Sequence, residues 1–389
     1  MSPASSLTIG IDAANLRRGG GETHLVELLR SADPTAFGIG RVIVWGRKAI
    51  LAALDDNPWL DKRNPPELEK GLLQRSFWQR YHLSAAARDA GCSVLFVPGG
   101  SYAGDFRPTI TMSRNMLPFE LHELKRYGCS LLTLKLLLLR FIQSRSFRNV
   151  DGLIFLTKYA RRTVLRVTGP LNTKTTIIPH GLNARFKRVP KVQRAITDYD
   201  DAKPLRVLYV SIIDQYKHQW HVVDAIAALR KEGFPVVLDL VGPAYSRSLS
   251  RLNASIARQG ADHSWVRYHG AVPFTDLHTY YRTADLGLFA SSCENMPNIL
   301  LETMASGLPI ACSNRGPMPE VLGAGGVYFD PEQPFEIANA LRKLISSPQL
   351  RAQMAEISHQ KTQRYTWKSC ASETFQFLVE CSKKGFENV

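Results

Sequence analysis

Two acidic residues and a lysine are the groups in this chain whose types and spacing suggest chemistry. Glu294 follows an apolar run, Leu286 to Ala290, that is short enough for a buried strand, and seven residues separate it from Glu302. Pro297 suits the first position of a helix, Asn298 to Ser306 continue it, and Gly307 ends it. Pro309 to Cys312 reads as the next strand. The result is a βαβ unit with one carboxylate in the strand-to-helix loop and another inside the helix. In an open parallel sheet, ligands sit beyond the carboxyl ends of the strands. There the backbone N–H groups of Asn295, Met296 and Asn298 would meet a phosphate at the helix mouth. Glu294 would accept bonds from sugar hydroxyls, and Glu302 would take a ribose diol, because a carboxylate accepts two bonds. Two solvated acids on a surface helix have the same spacing, so the pair alone does not decide the matter.

Other positions add to the pattern. The strand Leu205 to Val210 leads into Ser211-Ile212-Ile213-Asp214-Gln215-Tyr216-Lys217, which places a cation just after a strand. At the start of the chain, the strand Leu7 to Ala13 runs into Asn15-Leu16-Arg17-Arg18-Gly19-Gly20-Gly21, and a helix begins near Glu22. Glycines such as Gly20 and Gly21 let the backbone approach a phosphate or a pyranose closely, although three in a row are also an ordinary flexible turn. After the strand Thr109 to Met112 comes Ser113-Arg114-Asn115. Arg114 either contacts a phosphate or leaving group, or packs its stem at the surface.

The string from Phe289 to Gly323, FASSCENMPNILLETMASGLPI followed by GPMPEVLG, resembles the donor half of the retaining glycosyltransferases of family 4, which have the GT-B architecture. The resemblance is weaker elsewhere but extends over nearly the whole chain. It implies two Rossmann-like domains facing across a cleft, a nucleotide sugar bound between them, retention of anomeric configuration, no bound cofactor and no structural need for a metal. Gly20 and Gly21 then match the glycine-rich loop that faces the donor. Lys217 matches the lysine that neutralises the diphosphate, and Glu294 and Glu302 match the donor carboxylates. The chain departs from the family in two places. Ile212 stands where relatives carry an arginine, and Arg114-Asn115 stands where many carry a His-Asp pair. The charge on the diphosphate must then be met by Lys217, by helix N-termini, or by an arginine such as Arg114 or Arg315.

Further strands are expected at Val42 to Trp45, Val94 to Val97, Leu153 to Leu156, Val236 to Val241, Val266 to Tyr268 and Val327 to Phe329, with helical patterns between. Such alternation implies parallel sheets covered on both faces. Main-chain groups around Gly270 to Val272 are candidates to frame a base. Ile177-Ile178-Pro179-His180-Gly181-Leu182 resembles the string that closes the family's first domain. The expected organisation is an acceptor-binding domain over 1–182, a linker over 183–203, a nucleotide-sugar-binding domain over 204–366, and a helix over 367–389 that returns to the first domain. The linker contains Asp198-Tyr199-Asp200, a metal-nucleotide signature of a different, single-domain transferase class. It lies away from the end of a buried strand, so it reads as linker.

The chain has 389 residues and a formal charge of +15, which is placed unevenly. Through Pro179 there are 25 lysines and arginines against 14 aspartates and glutamates, whereas from Ala195 onward there are 19 against 20. A basic first half points to an anionic partner for that half alone. No nucleic-acid-binding motif accompanies the charge, which favours an anionic membrane or acceptor over nucleic acid. Cys129 to Arg148 is leucine-rich with Lys135, Arg140, Arg145 and Arg148, and it fits either a helix buried under the first sheet or one lying in a membrane interface. The six cysteines show no CxxC spacing and read as buried thiols. With no leader and no spanning run, the expected location is cytoplasmic, peripheral on the inner face of the plasma membrane.

The function this implies is transfer of a hexose from a nucleotide sugar, GDP-hexose first and UDP-hexose second, to a lipid-linked or surface polysaccharide precursor such as that of an O-antigen. Two alternatives remain open. One is a GT-B sugar-nucleotide 2-epimerase. The other is a binding scaffold with weakened catalysis, which Ile212 and Arg114-Asn115 would explain.

Overall fold

A computed structural model describes residues 6–16, 19–260 and 262–384. The chain divides into two compact units, one from Met1–Phe119, Leu131–Gly181 and Tyr365–Val389, the other from Glu120–Ser130 and Leu182–Arg364. The second unit thus draws in residues 120–130, which the sequence reading assigned to the first domain, together with the expected linker.

The first unit holds a seven-stranded, all-parallel sheet of β1 (Leu7–Asp12), β2 (Ile39–Trp45), β3 (Leu60–Arg63), β4 (Val94–Val97), β5 (Thr109–Met112), β6 (Gly152–Phe155) and β7 (Lys174–Ile177), in the order β3-β2-β1-β4-β5-β6-β7. Its central strands β4, β5 and β6 are buried at every position. This is what near-continuous apolar runs between two helical layers should give. The edge strands β3 and β7, LDKR and KTTI, are only half-buried and polar, so they carry no apolar run that would mark them as strands. The last helix, Trp367–Lys384, packs on β4 and on the helix Gly20–Arg30 of this unit, as the sequence led us to expect. Two glycines admit it. A Cβ on Gly181 would lie 2.3 Å from the Trp367 nitrogen, and one on Gly152 would lie 3.0 Å from the Cys381 sulfur.

The second unit holds a six-stranded parallel sheet of β8 (Leu205–Val210), β9 (Val236–Val241), β10 (Val266–Tyr268), β11 (Leu286–Phe289), β12 (Ile310–Ser313) and β13 (Val327–Phe329), in the order β10-β9-β8-β11-β12-β13. Both sheets wind outward from their first strand in one direction and then resume on its other side. Each therefore has a switch point, between β1 and β4 in the first and between β8 and β11 in the second. Helices that start from these strands diverge to opposite faces and leave a crevice at the carboxyl edge.

The helix Leu131–Arg148 is not the buried helix that leucine content alone would suggest. Leu131, Leu134, Leu138 and Phe141 are 77%, 64%, 57% and 67% exposed, while Gln143, Ser144 and Ser146 are buried. A second exposed stripe, Leu73, Phe77 and Tyr81, runs along the helix Leu72–Tyr81. The crossovers from β3 to β4 and from β5 to β6 progress the same way along the sheet, so right-handed connection puts both helices on one face. No described helix is long and apolar enough to cross a membrane. Cys293, Cys312, Cys370 and Cys381 are buried free thiols, but Cys129 is exposed, because it sits in the turn before the helix Leu131–Arg148.

Candidate active site

The switch point of the second unit brings Lys217 and Glu294 together. β8 ends at Val210 and its loop turns through the short helix Gln215–Lys217, while β11 ends at Phe289 and its loop carries Glu294. Because β8 and β11 are neighbours, the two loops meet, and Lys217 Nζ forms an ion pair with a Glu294 carboxylate oxygen. The Lys217 side chain is 7% exposed and that of Glu294 17%. The ammonium also lies 5.0 Å from the Tyr216 ring centroid and 5.3 Å from that of Phe289. An ion pair this deep persists only when its partners are well placed, and the ammonium has further protons to donate to an anion. Sequence reasoning gave the two residues separate tasks and did not foresee that they hold each other.

Glu302 sits inside the helix Asn298–Ala305, 7% exposed, and accepts a hydrogen bond from the Tyr281 hydroxyl at 3.2 Å. Burial pushes its carboxyl pKa up to about 8, against a smaller opposing effect of that hydrogen bond and of Arg185. Among the described residues only one of its carboxyl oxygens has a hydrogen-bond partner. The mouth of this helix differs from the expectation in one respect. The Asn298 N–H donates to the Met296 carbonyl at 3.0 Å and is therefore not free for a phosphate. The Asn298 Oδ1 atom is instead buried there without a hydrogen-bond partner. The Asn295 and Met296 side chains are buried beside it.

The other residues singled out from the sequence take varied places. Arg315, offered by the sequence as a replacement for the arginine missing at Ile212, donates to Asp330 at 2.6 Å. Asp198 accepts from the Ala195 N–H and Asp200 from the Lys203 N–H, so both carboxylates close turns of the backbone. The Gly270 carbonyl is taken by the Gly242 N–H at 2.8 Å. A cavity of about 240 Å³ opens at the opposite end of β8 and β11, lined by Lys191, Arg194, Lys203, Arg206 and Asp285, far along the strands from Lys217 and Glu294.

In the first unit, Arg114 donates from its guanidinium to the Gly20 carbonyl, and a Cβ on Gly21 would lie 3.5 Å from it. It thus binds the glycine turn at the head of the helix Gly20–Arg30; Arg17 and Arg18 of the same loop lie outside the described residues. Behind the turn, His24 and His180 share a hydrogen bond between their Nδ1 atoms at 2.9 Å, and Trp367 packs against both. Burial, followed by the Arg114 charge, lowers the His180 pKa to about 3, and burial also lowers that of Arg114 to about 10. The two imidazoles are therefore neutral. They come from residues 156 apart in sequence, a pairing that no local pattern announces.

Two Rossmann-like parallel sheets, with the last helix returned to the first, define the GT-B class of fold. Comparison with known proteins agrees with this. Residues 204–347 match the family described as Glycosyl transferases group 1, which places that domain in the second unit. The chain is similar to the O-antigen chain mannosyltransferase B of Escherichia coli, at 28% identity over 119 residues, or 31% of each protein. It therefore aligns with about a third of the length of that relative. Among solved structures it is similar in fold to the sucrose-phosphate synthase of Thermosynechococcus elongatus, with a TM-score of 0.75 and 17% identity over 98% of this chain and all of that one. It is also similar to Anabaena Alr3699/HepE in complex with UDP, with a TM-score of 0.70 and 17% identity over 96% of this chain and all of that one.

Proposed function

We propose that this protein is a retaining, family-4-like glycosyltransferase that moves a hexose from a nucleotide sugar to a lipid-linked or surface polysaccharide precursor. The observation that carries the reading is the Lys217–Glu294 pair, poised at the switch point of the second sheet within the Glycosyl transferases group 1 match. In such a reaction the anomeric carbon becomes oxocarbenium-like while the diphosphate departs with growing negative charge. Preorganised donors aimed at that charge lower the barrier most. Lys217 supplies the cation, Glu294 holds both the lysine and the sugar hydroxyls, and Glu302 receives the ribose. The backbone at Asn295 and Met296 lies beside the phosphates. On the acceptor side, Arg114 fixes the glycine turn at Gly20 and Gly21. The acceptor hydroxyl gives its proton to the departing phosphate, and no carboxylate is assigned as a covalent nucleophile.

The sugar most in keeping with the mannosyltransferase relative is mannose, supplied as its GDP derivative. A UDP-sugar is the second choice, in keeping with the UDP complex of the HepE neighbour. The acceptor reading draws support from the first unit, where an exposed apolar face accompanies the basic excess. Exposed apolar patches rimmed by charge mark interaction surfaces, and this one suits the anionic cytoplasmic leaflet, where a lipid-linked acceptor would lie. The experiment is a panel of sugar nucleotides assayed for hydrolysis and for transfer to lipid-linked acceptors, with and without excess chelator. Turnover of one donor that persists in chelator is expected. Turnover that requires Mn²⁺ or Mg²⁺ would overturn the metal-free mechanism, release of a free epimerised sugar would favour the epimerase, and binding without turnover would leave a scaffold.

A further inference from the structure

Residues 120–130 belong to the first half of the chain by sequence but to the second unit by contact. The segment contains one short helix, Leu121–Lys125, followed by Arg126 and Tyr127. Three of its side chains hold three different loops. Glu123, 4% exposed, accepts a hydrogen bond from Ser292 Oγ at 2.7 Å, in the loop after β11. The Tyr127 hydroxyl donates to Asp214 Oδ1 at 2.8 Å, in the loop after β8. Arg126 donates to Glu123 Oε2 at 2.8 Å and to Glu332 Oε1 at 2.6 Å, in the loop after β13. All three loops leave the carboxyl edge of the sheet, where a ligand of an open parallel sheet sits.

The grip reaches Lys217 and Glu294 through few atoms. Asp214 begins the turn that ends at Lys217, and Ser292 lies two residues before Glu294. The Ser292 N–H donates to the Tyr216 carbonyl at 2.8 Å and joins the two loops directly beside Lys217. The next residue, His218, adopts a left-handed backbone with φ 55°, uncommon for a residue with a side chain, so its surroundings must hold it there. Its Nε2 lies 2.9 Å from Ser292 Oγ. The directions follow from counting protons. Serine has one, and the acceptors within its reach, Glu123 and the Tyr216 carbonyl, have none to give. The Ser292 hydroxyl therefore donates onward, and His218 donates its Nε2–H to Ser292. Burial, then the Arg126 charge, lowers the His218 pKa to about 3, so the ring stays neutral with a single defined donor.

We propose that Glu123, Arg126 and Tyr127 are positioning residues for the transfer reaction: from the far half of the sequence, they lock the loops after β8, β11 and β13 so that Lys217 and Glu294 meet the leaving diphosphate and the sugar in register. The proposal rests on the glycosyl-transfer reading for its catalytic consequence, but the locking is testable without it. The experiment uses the full chain with Glu123→Gln, which keeps the acceptor oxygen and removes the charge, with Tyr127→Phe, which removes one hydroxyl, and with Arg126→Glu alone and combined with Glu332→Arg. The kcat and donor KM, the affinity for the bare nucleoside diphosphate, and backbone hydrogen exchange over residues 211–218 and 290–296 are compared with wild type. A tenfold or larger loss of kcat is expected for Glu123→Gln and Arg126→Glu, exceeding the accompanying loss of diphosphate affinity, because Glu302 lies outside the network and still holds the nucleoside. Exchange in both loops should rise while the rest of the second unit is unchanged, and the charge-swapped pair should recover part of the kcat. Unchanged exchange in those loops would overturn the locking, whether or not any donor is turned over. A kcat loss no greater than the loss of folded protein would overturn the positioning role. Faster loop exchange in the variants of a protein whose wild type turns over no donor would instead contradict the transfer reading and leave the lock standing.

Discussion

The two units repeat one strand order around a switch point yet put different material there. At the carboxyl edge of the second sheet, Lys217, Glu294 and Glu302 are withdrawn from water and held by one another, by Tyr281 or by loop contacts. In the first unit Arg114, at the corresponding edge, is spent on the Gly20 carbonyl, and His24 and His180 behind it are neutral and buried. The first unit instead exposes apolar residues, along Leu72–Tyr81 and Leu131–Arg148, that the second does not match in such stripes among the described residues. A doubly wound sheet supplies a crevice in both cases, but chemistry enters only through the residues that the loops and helix starts place there. The contrast is what the proposed function needs, a unit to hold a charged ligand beside one that offers a surface.

The sharpest way to break this contrast is Lys217→Ala. It removes the cation at the proposed leaving group and strands Glu294, so kcat should fall by about 10²–10³, in the range seen when one preorganised transition-state donor is lost. Lys217→Arg should retain part of the rate, and loss of less than about fivefold in steady-state turnover would show that the pair is structural.

A second test uses the raised pKa of Glu302. Its carboxyl ionises near 8 in the folded protein and near the ordinary 4.5 when unfolded, so between those values the folded state holds the extra proton. That contribution to stability is complete below about pH 4.5 and is lost as pH rises through 8, at up to about 1.4 kcal/mol per pH unit. Thermal unfolding of the ligand-free protein should therefore show falling stability across this window. Glu302→Gln should flatten the profile, and nucleoside diphosphate binding at pH 7 should release a proton, visible as a buffer-dependent heat. An identical pH profile in the variant would break the assignment.

The smallest effects belong to the first unit. Replacing Arg140, Arg145 and Arg148 with Gln should weaken binding to anionic vesicles by about 1 kcal/mol for each residue near the surface. Replacing Leu134, Leu138 and Phe141 with Ser should weaken it further without unfolding the protein, because those side chains are exposed. Co-sedimentation at several salt concentrations measures both. Equal binding to neutral vesicles at all salt concentrations would assign the surface to hydrophobic insertion alone, and no binding at low salt would remove the membrane from the account.

Much of this architecture was legible in the sequence because buried parallel strands must be apolar on both faces. The runs at β4, β5, β8 and β9 appear in the sequence with the bounds they take in the structure, and so do the short, partly buried edge strands β10 and β13. Edge strands β3 and β7 escaped because one side of each meets solvent and no apolar run is required. The Leu131–Arg148 helix was ambiguous for the converse reason: composition counts its leucines but does not say which face they occupy. At the site, Glu294, Glu302 and Lys217 stood out by position after strands or within the following helix. Their partners did not. Tyr281 carries no motif, and the Glu123–Ser292–His218 chain joins residues that only the fold brings together.

The central claim, that the second unit divides a nucleotide sugar between Glu302 and Glu294, is tested most directly by calorimetric titration of a bare nucleoside diphosphate and of its sugar-bearing form into Glu302→Ala and Glu294→Ala. A lost charged hydrogen bond in a buried site is worth about 1.5–3 kcal/mol. Glu302→Ala should weaken both ligands by that amount, whereas Glu294→Ala should spare the bare diphosphate and weaken only the sugar nucleotide and its turnover. Equal losses of bare diphosphate affinity in the two variants would contradict the account.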